Sequence, residues 1–340
     1  MATLSNAGVF YESGQSQQSF AAMADAGAHT VYTLTAKPWS QAAGYEYTVV
    51  PYGLATGGTV TPAVSTTNNL VDVAALTAYM AAATGASATT GLLTVAATTD
   101  ISCTRGSATN THIVNAITIS SAGAIAVVAG TATTAFSTTR GAAGGPPAIP
   151  LGSVEIAHVS FTSTAAAAVA SSEISQIVGT SQERYDYPVW AENPIEGKIT
   201  FAAALPVIHG TAAGTATATK PVYARVATPV FAEISRARDW VPAETSNSVN
   251  SEQYYDGTVG SFSSSLGQAS FTVSLNDGVT DALLAKKGQN LLFKFSPDKN
   301  KAPYQITQGV LGVSRTFGVG ANPSATVTVS ASQASVDFAS

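Results

Sequence analysis

Charge is what this chain has least of. Asp, Glu, Lys and Arg together make up 10% of its 340 residues, against about 25% in an average soluble domain. A single cysteine, Cys103, excludes an intramolecular disulfide framework. With no histidine base beside it, Cys103 is expected as a small buried residue rather than a catalytic thiol. No stretch approaches the roughly 18 to 20 uninterrupted apolar residues of a membrane helix, so no membrane insertion is expected. Met1-Ala2-Thr3-Leu4-Ser5 lacks the basic and apolar segments of a secretory signal, which points to synthesis in a reducing cytoplasm.

The motifs of common chemistry are missing too. The four histidines, His29, His112, His158 and His209, are scattered. His158 has a nearby carboxylate, Glu155, and an alternating strand makes it a structural or surface residue. No HExxH, paired CxxC, Walker loop, strand-to-helix GxGxxG or GxSxG elbow occurs. Glu183, Asp186, Glu192 and Glu196 form the one dense acidic cluster. A polysaccharide hydrolase would need a paired-carboxylate cleft, but these four sit in a polar connector and read as solvated. Asp277 and Asp281 could pass for a metal pair; capping of a helix start explains both more simply. No enzyme, cofactor or metal site is expected.

What is present is small, β-branched and hydroxyl-bearing: Ala, Thr, Ser, Gly and Val fill the place of charge, a texture that favours packed β-structure. Net charge is −5 and uneven. Residues 1–219 carry five Lys/Arg and eleven Asp/Glu, a balance of −6, and residues 220–340 carry ten and nine, a balance of +1. Neither half is basic enough for a nucleic-acid-binding surface.

Residues 1–25 read as an extended N-terminal arm, and 26–215 as an additional β-rich domain. In that domain Val73, Leu76 and Met80 at helical spacing predict a helix over Leu70 to Ala83, ended by Gly85. Short alternating strands follow from Leu92 to Phe161. The Gly/Pro-rich run 139–150 admits no helix or central strand. Ser172 to Val178 predicts one or two helical turns. Low-complexity Thr211 to Thr219 marks the best boundary. An echo between Ser172–Gln176 and Ala232–Arg236 leaves open a diverged second copy of the C-terminal module.

That module, 216–340, predicts long strand, polar loop, strand, helix and closing strands. The helix is expected over Asn276–Gly288, with an Asx cap, acids in its first turn, Lys286 and Lys287 in its last and a stop glycine. Leu291–Phe295, Tyr304–Phe317 and Ala325–Ser330 are the strands after it, the last strictly alternating. Arg236-Ala237-Arg238-Asp239-Trp240 is the densest polar–aromatic cluster; it suits an intersubunit hot spot or the closing of a strand within one subunit. Pro297 to Pro303 is a charged turn carrying Lys299 and Lys301.

In element order and texture, from Pro229–Ile234 and Arg238–Trp240 through the polar loop Asn247–Gly257 to Ala325–Ser330, this third of the chain resembles the major tail tube proteins of long flexible-tailed (siphovirus-type) bacteriophages. The resemblance implies a mainly β fold: a β-sandwich or barrel with one flanking helix, the extra 200 or so residues forming a β-rich insertion on the outer face of the tube. It implies a structural subunit that self-assembles by edge-strand pairing into stacked rings, hexameric or, with a duplicated module, trimeric. Such a tube, part of a virion tail, encloses the tape-measure protein, meets tail terminator and distal tail proteins, and passes DNA during ejection. A conduit avoids a basic lining, because phosphate contacts slow passage. Arg236, Arg238, Trp240, Tyr254, Tyr255, Lys299 and Lys301 are the interface residues this reading selects. A tail fibre, baseplate or capsid-decoration protein that binds the host surface is the alternative.

Overall fold

The computed structural model describes residues 6–185, 189–211, 213–255 and 257–339. The fold is mainly β, built from several small sheets and one large one, and the described residues contain no helix of seven or more residues.

The large sheet is antiparallel and eight-stranded. Its order is Ala227–Glu233, Gly8–Gln17, Asn290–Ser296, Tyr304–Thr316, Ser324–Ala331, Ala269–Ser274 and Ala237–Val241, with Val336–Phe338 paired beside Tyr304–Thr316. The two outermost strands are joined by the short turn 234–236, so the sheet must curl until its edges meet there. The curl encloses a core of Val9, Tyr11, Phe271, Phe293, Leu311 and Val327. Strict alternation explains the inside and outside of Ser324–Ala331: Ala325, Val327 and Val329 are buried, while Thr326, Thr328 and Ser330 face solvent. Fully burying one such aliphatic side chain contributes about 1.5–3 kcal/mol.

Residues 8–17 are therefore not a free arm. They form an interior strand, paired with Ala227–Glu233 on one side and Asn290–Ser296 on the other. Val9 and Tyr11 supply the apolar face, and Glu12, fully buried, accepts a hydrogen bond from the Leu292 amide at 3.0 Å. Polar composition hid this strand, because a bulge between Glu12 and Gly14 interrupts its pattern and its exposed end is Ser16 and Gln17.

The expected helix at 276–288 is absent. Asp281 accepts hydrogen bonds from the amides of Asn276 (2.9 Å) and Gly278 (2.9 Å), and Asp277 from those of Val279 and Thr280 (both 2.7 Å). These carboxylates cap a loop instead of a helix, and Gly278 takes a left-handed φ of +74°. Only a single 3₁₀ turn, Leu284–Lys286, survives.

From Gln17 the chain leaves the sheet and returns at Ala227. A middle layer gathers residues 21–51 and 190–226 around Tyr32, Trp39, Val49, Ile199 and Val222. Beyond it, residues 52–169 pack around Ile117, Ile156, Phe161, Leu54 and Met80. That distal part contains Leu70–Val73 and Leu76–Tyr79 in place of the expected helix. Val71 and Val73 are buried in the first strand, Leu76, Ala78 and Met80 in and after the second. Two period-2 patterns offset by the break at 74–75 place apolar residues at 73, 76 and 80 and so mimic a helix. Ser171–Glu173 is one 3₁₀ turn and Ala232–Glu233 the end of a strand, so the two echoed segments have different structures. Ala213, within the stretch expected at a boundary, meets the distal part: the Ala148 amide donates to its carbonyl at 2.6 Å. The crossings into the large sheet lie at 17–18 and 226–227.

Candidate functional site

Between Ala237–Val241 and Ala269–Ser274 the chain runs out and back as Thr245–Tyr254 and Gly257–Leu266. The strands pair residue for residue from Thr245 opposite Leu266 to Tyr254 opposite Gly257. At about 3.3 Å per residue, ten residues span about 33 Å, the breadth of a small domain. Every described side chain from Thr245 to Ser265 is exposed, and only Leu266, at the root, packs on the core.

The sequence explains both faces. Ser246 and Ser265 hydroxyls lie 3.0 Å apart, and those of Ser248 and Ser263 2.6 Å. Such cross-strand hydroxyl pairs add roughly 0.2–1 kcal/mol each. On the opposite face Val249 stands directly across from Phe262, and the two are 70% and 69% exposed. A sequence of Ser, Asn and Thr reads as a loop; unbroken cross-strand pairing makes it a ribbon.

The ribbon has long unguarded edges. Neither strand holds a proline, lysine or bulge, and Glu252 is the one charged residue within them. The edges of the large sheet differ. Ala227–Glu233 carries Pro229, which has no N–H to offer, and Ala237–Val241 is bulged between Arg238 and Val241, with Asp239 at φ +59°. Proline and bulges are the devices that blunt a sheet edge.

The seven residues selected from sequence fall in three places. Trp240 packs within its own chain: its indole N–H donates to Gln305 Oε1 at 3.0 Å and its ring stacks on Phe295, centroids 5.8 Å apart. Arg238 is exposed beside Asp239, Nε to Oδ2 3.6 Å, a solvent-screened pair of little worth. Arg236 is exposed in the 234–236 turn at φ +58°. Lys299 reaches Glu233 at 2.9 Å, which places it and Arg236 on either side of one corner of the sheet. Lys301 pairs with Asp298 at 3.3 Å. Tyr255 is fully exposed at the far end of the hairpin. Tyr254 pairs through its backbone there; its side chain lies outside the described residues.

A second concentration of polar groups lies where the distal part meets the middle layer. Glu155, on Val154–Phe161, receives a two-pronged contact from Arg140, Nη1 to Oε1 3.0 Å and Nη2 to Oε2 2.7 Å, and His158 Nε2 lies 2.8 Å from Oε1. Burial alone would push this carboxyl up; the hydrogen bond to His158 and the Arg140 fork outweigh it and hold the group below the ordinary glutamate value. Glu183 faces His209 Nε2 at 3.1 Å and Lys220 Nζ at 3.8 Å, and its Oε2 accepts from the Glu155 amide at 3.3 Å. Glu183 is thus buried, against the expectation of a solvated residue, and so is His158, expected as a structural or surface residue. The connector holding Glu183 returns to the distal part, bridging Leu54 to Arg184, and carries the carboxylate inside. Glu192 is exposed and Glu196 pairs with Lys198 at 3.0 Å, while Asp186 lies outside the described residues.

Cys103 is buried, and burial pushes its thiol up to about 12. Asp277 is held down at about 2, first by the Thr280 hydroxyl and then by the Val279 and Thr280 amides, so its oxygens serve the loop. No protein-family model, curated protein or solved structure matches the chain.

Proposed function

We propose that this protein is a structural subunit that assembles with copies of itself, and that its assembly is the tube of a phage tail. The observation that carries self-assembly is the hairpin 245–266. A two-stranded ribbon is marginal alone, and an unguarded ten-residue edge invites pairing. Its length suffices to cross a neighbouring copy, and Val249 and Phe262 would be covered there. The tail-tube identity rests on the resemblance of the C-terminal third, with the curled sheet and its projecting ribbon in accord with it.

In this reading the hairpin, rather than the blunted sheet edges, is the joining device. One eight-stranded sheet among the described residues favours six single-module subunits per ring over three double ones. The distal part stands on the outside, and tape-measure protein and DNA occupy the lumen in turn.

Negative-stain electron microscopy of the full chain over a concentration series tests the proposal. The expected result is rings or tubes of uniform width. A variant in which 246–265 is replaced by Asn-Gly, joining the paired residues Thr245 and Leu266, is expected to keep the β circular-dichroism spectrum and stay monomeric. A wild-type chain that stays monodisperse at high concentration, or forms a slender trimer, would overturn the tube and favour a fibre or decoration protein. A shortened variant that assembles like the wild type would remove the hairpin from the interface.

A further inference from the structure

The junction of the distal part and the middle layer encloses a cleft of about 370 Å³. That is the lower end of the range for small-molecule sites. One side is apolar: Phe201, Leu205, Ile208 and Val189. The other carries Arg140, Glu155, Glu183, Arg184 and Lys220.

Most of these charges have partners. Arg140 is spent on Glu155 and on the Pro147 carbonyl at 2.7 Å. Arg184 is exposed, at 3.4 Å from Gln182 Oε1 and 3.5 Å from the Ala55 carbonyl. Lys220 is different. The residue is only 9% exposed, yet its ammonium makes no hydrogen bond among the described residues. The nearest carboxylate oxygen, Glu183 Oε1, stands 3.8 Å away and already meets His209. No buried side-chain nitrogen among the described residues lacks a partner, so the Lys220 ammonium, with its donors unspent, is reached from outside. The cleft is the open direction, since Lys220 lines it.

Three cations against two carboxylates leave the described lining at +1 when the histidines are neutral. We infer that the cleft binds a small monoanion, a carboxylate head on an apolar body, with Lys220 holding the carboxylate and the Phe201–Leu205 wall the body. This site is independent of the hairpin: assembly can fail and the ligand still bind, or the reverse.

Isothermal titration of the full chain with octanoate, and with inorganic phosphate as an anion lacking an apolar body, tests it. Octanoate is expected to saturate one site with a Kd below about 1 mM. Phosphate is expected not to saturate. Lys220→Met keeps the stem and removes the charge; its expected effect is a loss of about tenfold or more, the scale of one charge-assisted hydrogen bond. Ala203→Trp fills the cleft from an exposed position without touching the charged groups, and is expected to abolish binding even if Lys220→Met does not fold. No saturation of the wild type by 10 mM octanoate, about the weakest affinity of interest, would overturn the site. So would wild-type affinity in Ala203→Trp or in a folded Lys220→Met.

Discussion

Glu155 shows how much one residue can carry in a chain so poor in charge. Its carboxylate ties the Gly/Pro-rich run 139–150, through Arg140, to the strand that also holds His158. Removing one partner of a buried pair leaves the other unpaired, at a cost of about 3–5 kcal/mol. Glu155→Gln is therefore expected to lower the urea midpoint markedly at pH 7. Because the folded carboxyl is held below its ordinary value, its stabilisation is full above the unfolded value of about 4.3 and is lost as pH falls through the folded one. The difference between wild type and Glu155→Gln should then shrink at pH 3.5. An equal difference at both pH values would show that the carboxylate charge contributes nothing. The sequence places Glu155 near His158, but their contact was not legible in it. Residues 155 and 158 are three apart, which strict alternation places on opposite faces of a strand. A register shift opposite Ile117 and Thr118 breaks the alternation at Ile156 and turns Glu155 toward His158.

Single elements were legible where period alone decides them. Ala325 to Ser330 alternates and is a strand with one buried face. The failures came where two local structures use the same residues. Asx residues, acids and a stop glycine describe a helix start, but they equally describe a loop whose carboxylates cap its own amides. At 276–281 the loop won, with Gly278 left-handed. Asp281→Ala removes hydrogen bonds from the Asn276 and Gly278 amides. It is expected to cost about 1 kcal/mol, the scale of a lost cap, read as a lower urea midpoint; a helix-rich circular-dichroism spectrum instead would mean that the acids alone held off the helix. The hairpin failed in the other direction, since composition said loop and pairing made a ribbon. Phe262→Ser on its exposed face is expected to shift monomer stability by no more than about 0.5 kcal/mol while slowing assembly, followed by light scattering. A large loss of monomer stability would place Phe262 in a contact within its own chain.

At the scale of the whole molecule the chain is nested, and that is what no linear reading of composition could find. A domain interrupted by an insertion has two crossings, and a low-complexity stretch marks at most one. Here neither crossing is marked, because both lie inside paired strands: Gln17 is the direct partner of Ala227. This pairing makes a strong prediction. Residues 18–226 can be replaced by Asn-Gly, a two-residue turn suited to antiparallel partners, without altering any strand of the large sheet. Two losses follow. Ile195, fully buried, no longer covers Leu292 and Ile306 on the sheet's outer face, and the Ser40 amide no longer meets the Ala227 carbonyl at 2.8 Å. The shortened chain is therefore expected to fold cooperatively, with a β spectrum and a lower melting temperature than the full chain. The deletion removes the distal part and the middle layer together and keeps the hairpin. If the hairpin is the joining device, the shortened subunit should still form rings, slimmer than those of the full chain under the microscope. If it folds but no longer assembles while the full chain does, the contacts between copies lie in 18–226. If it does not fold, the large sheet depends on Ile195 and its neighbours, and the insertion is part of the sheet's own core.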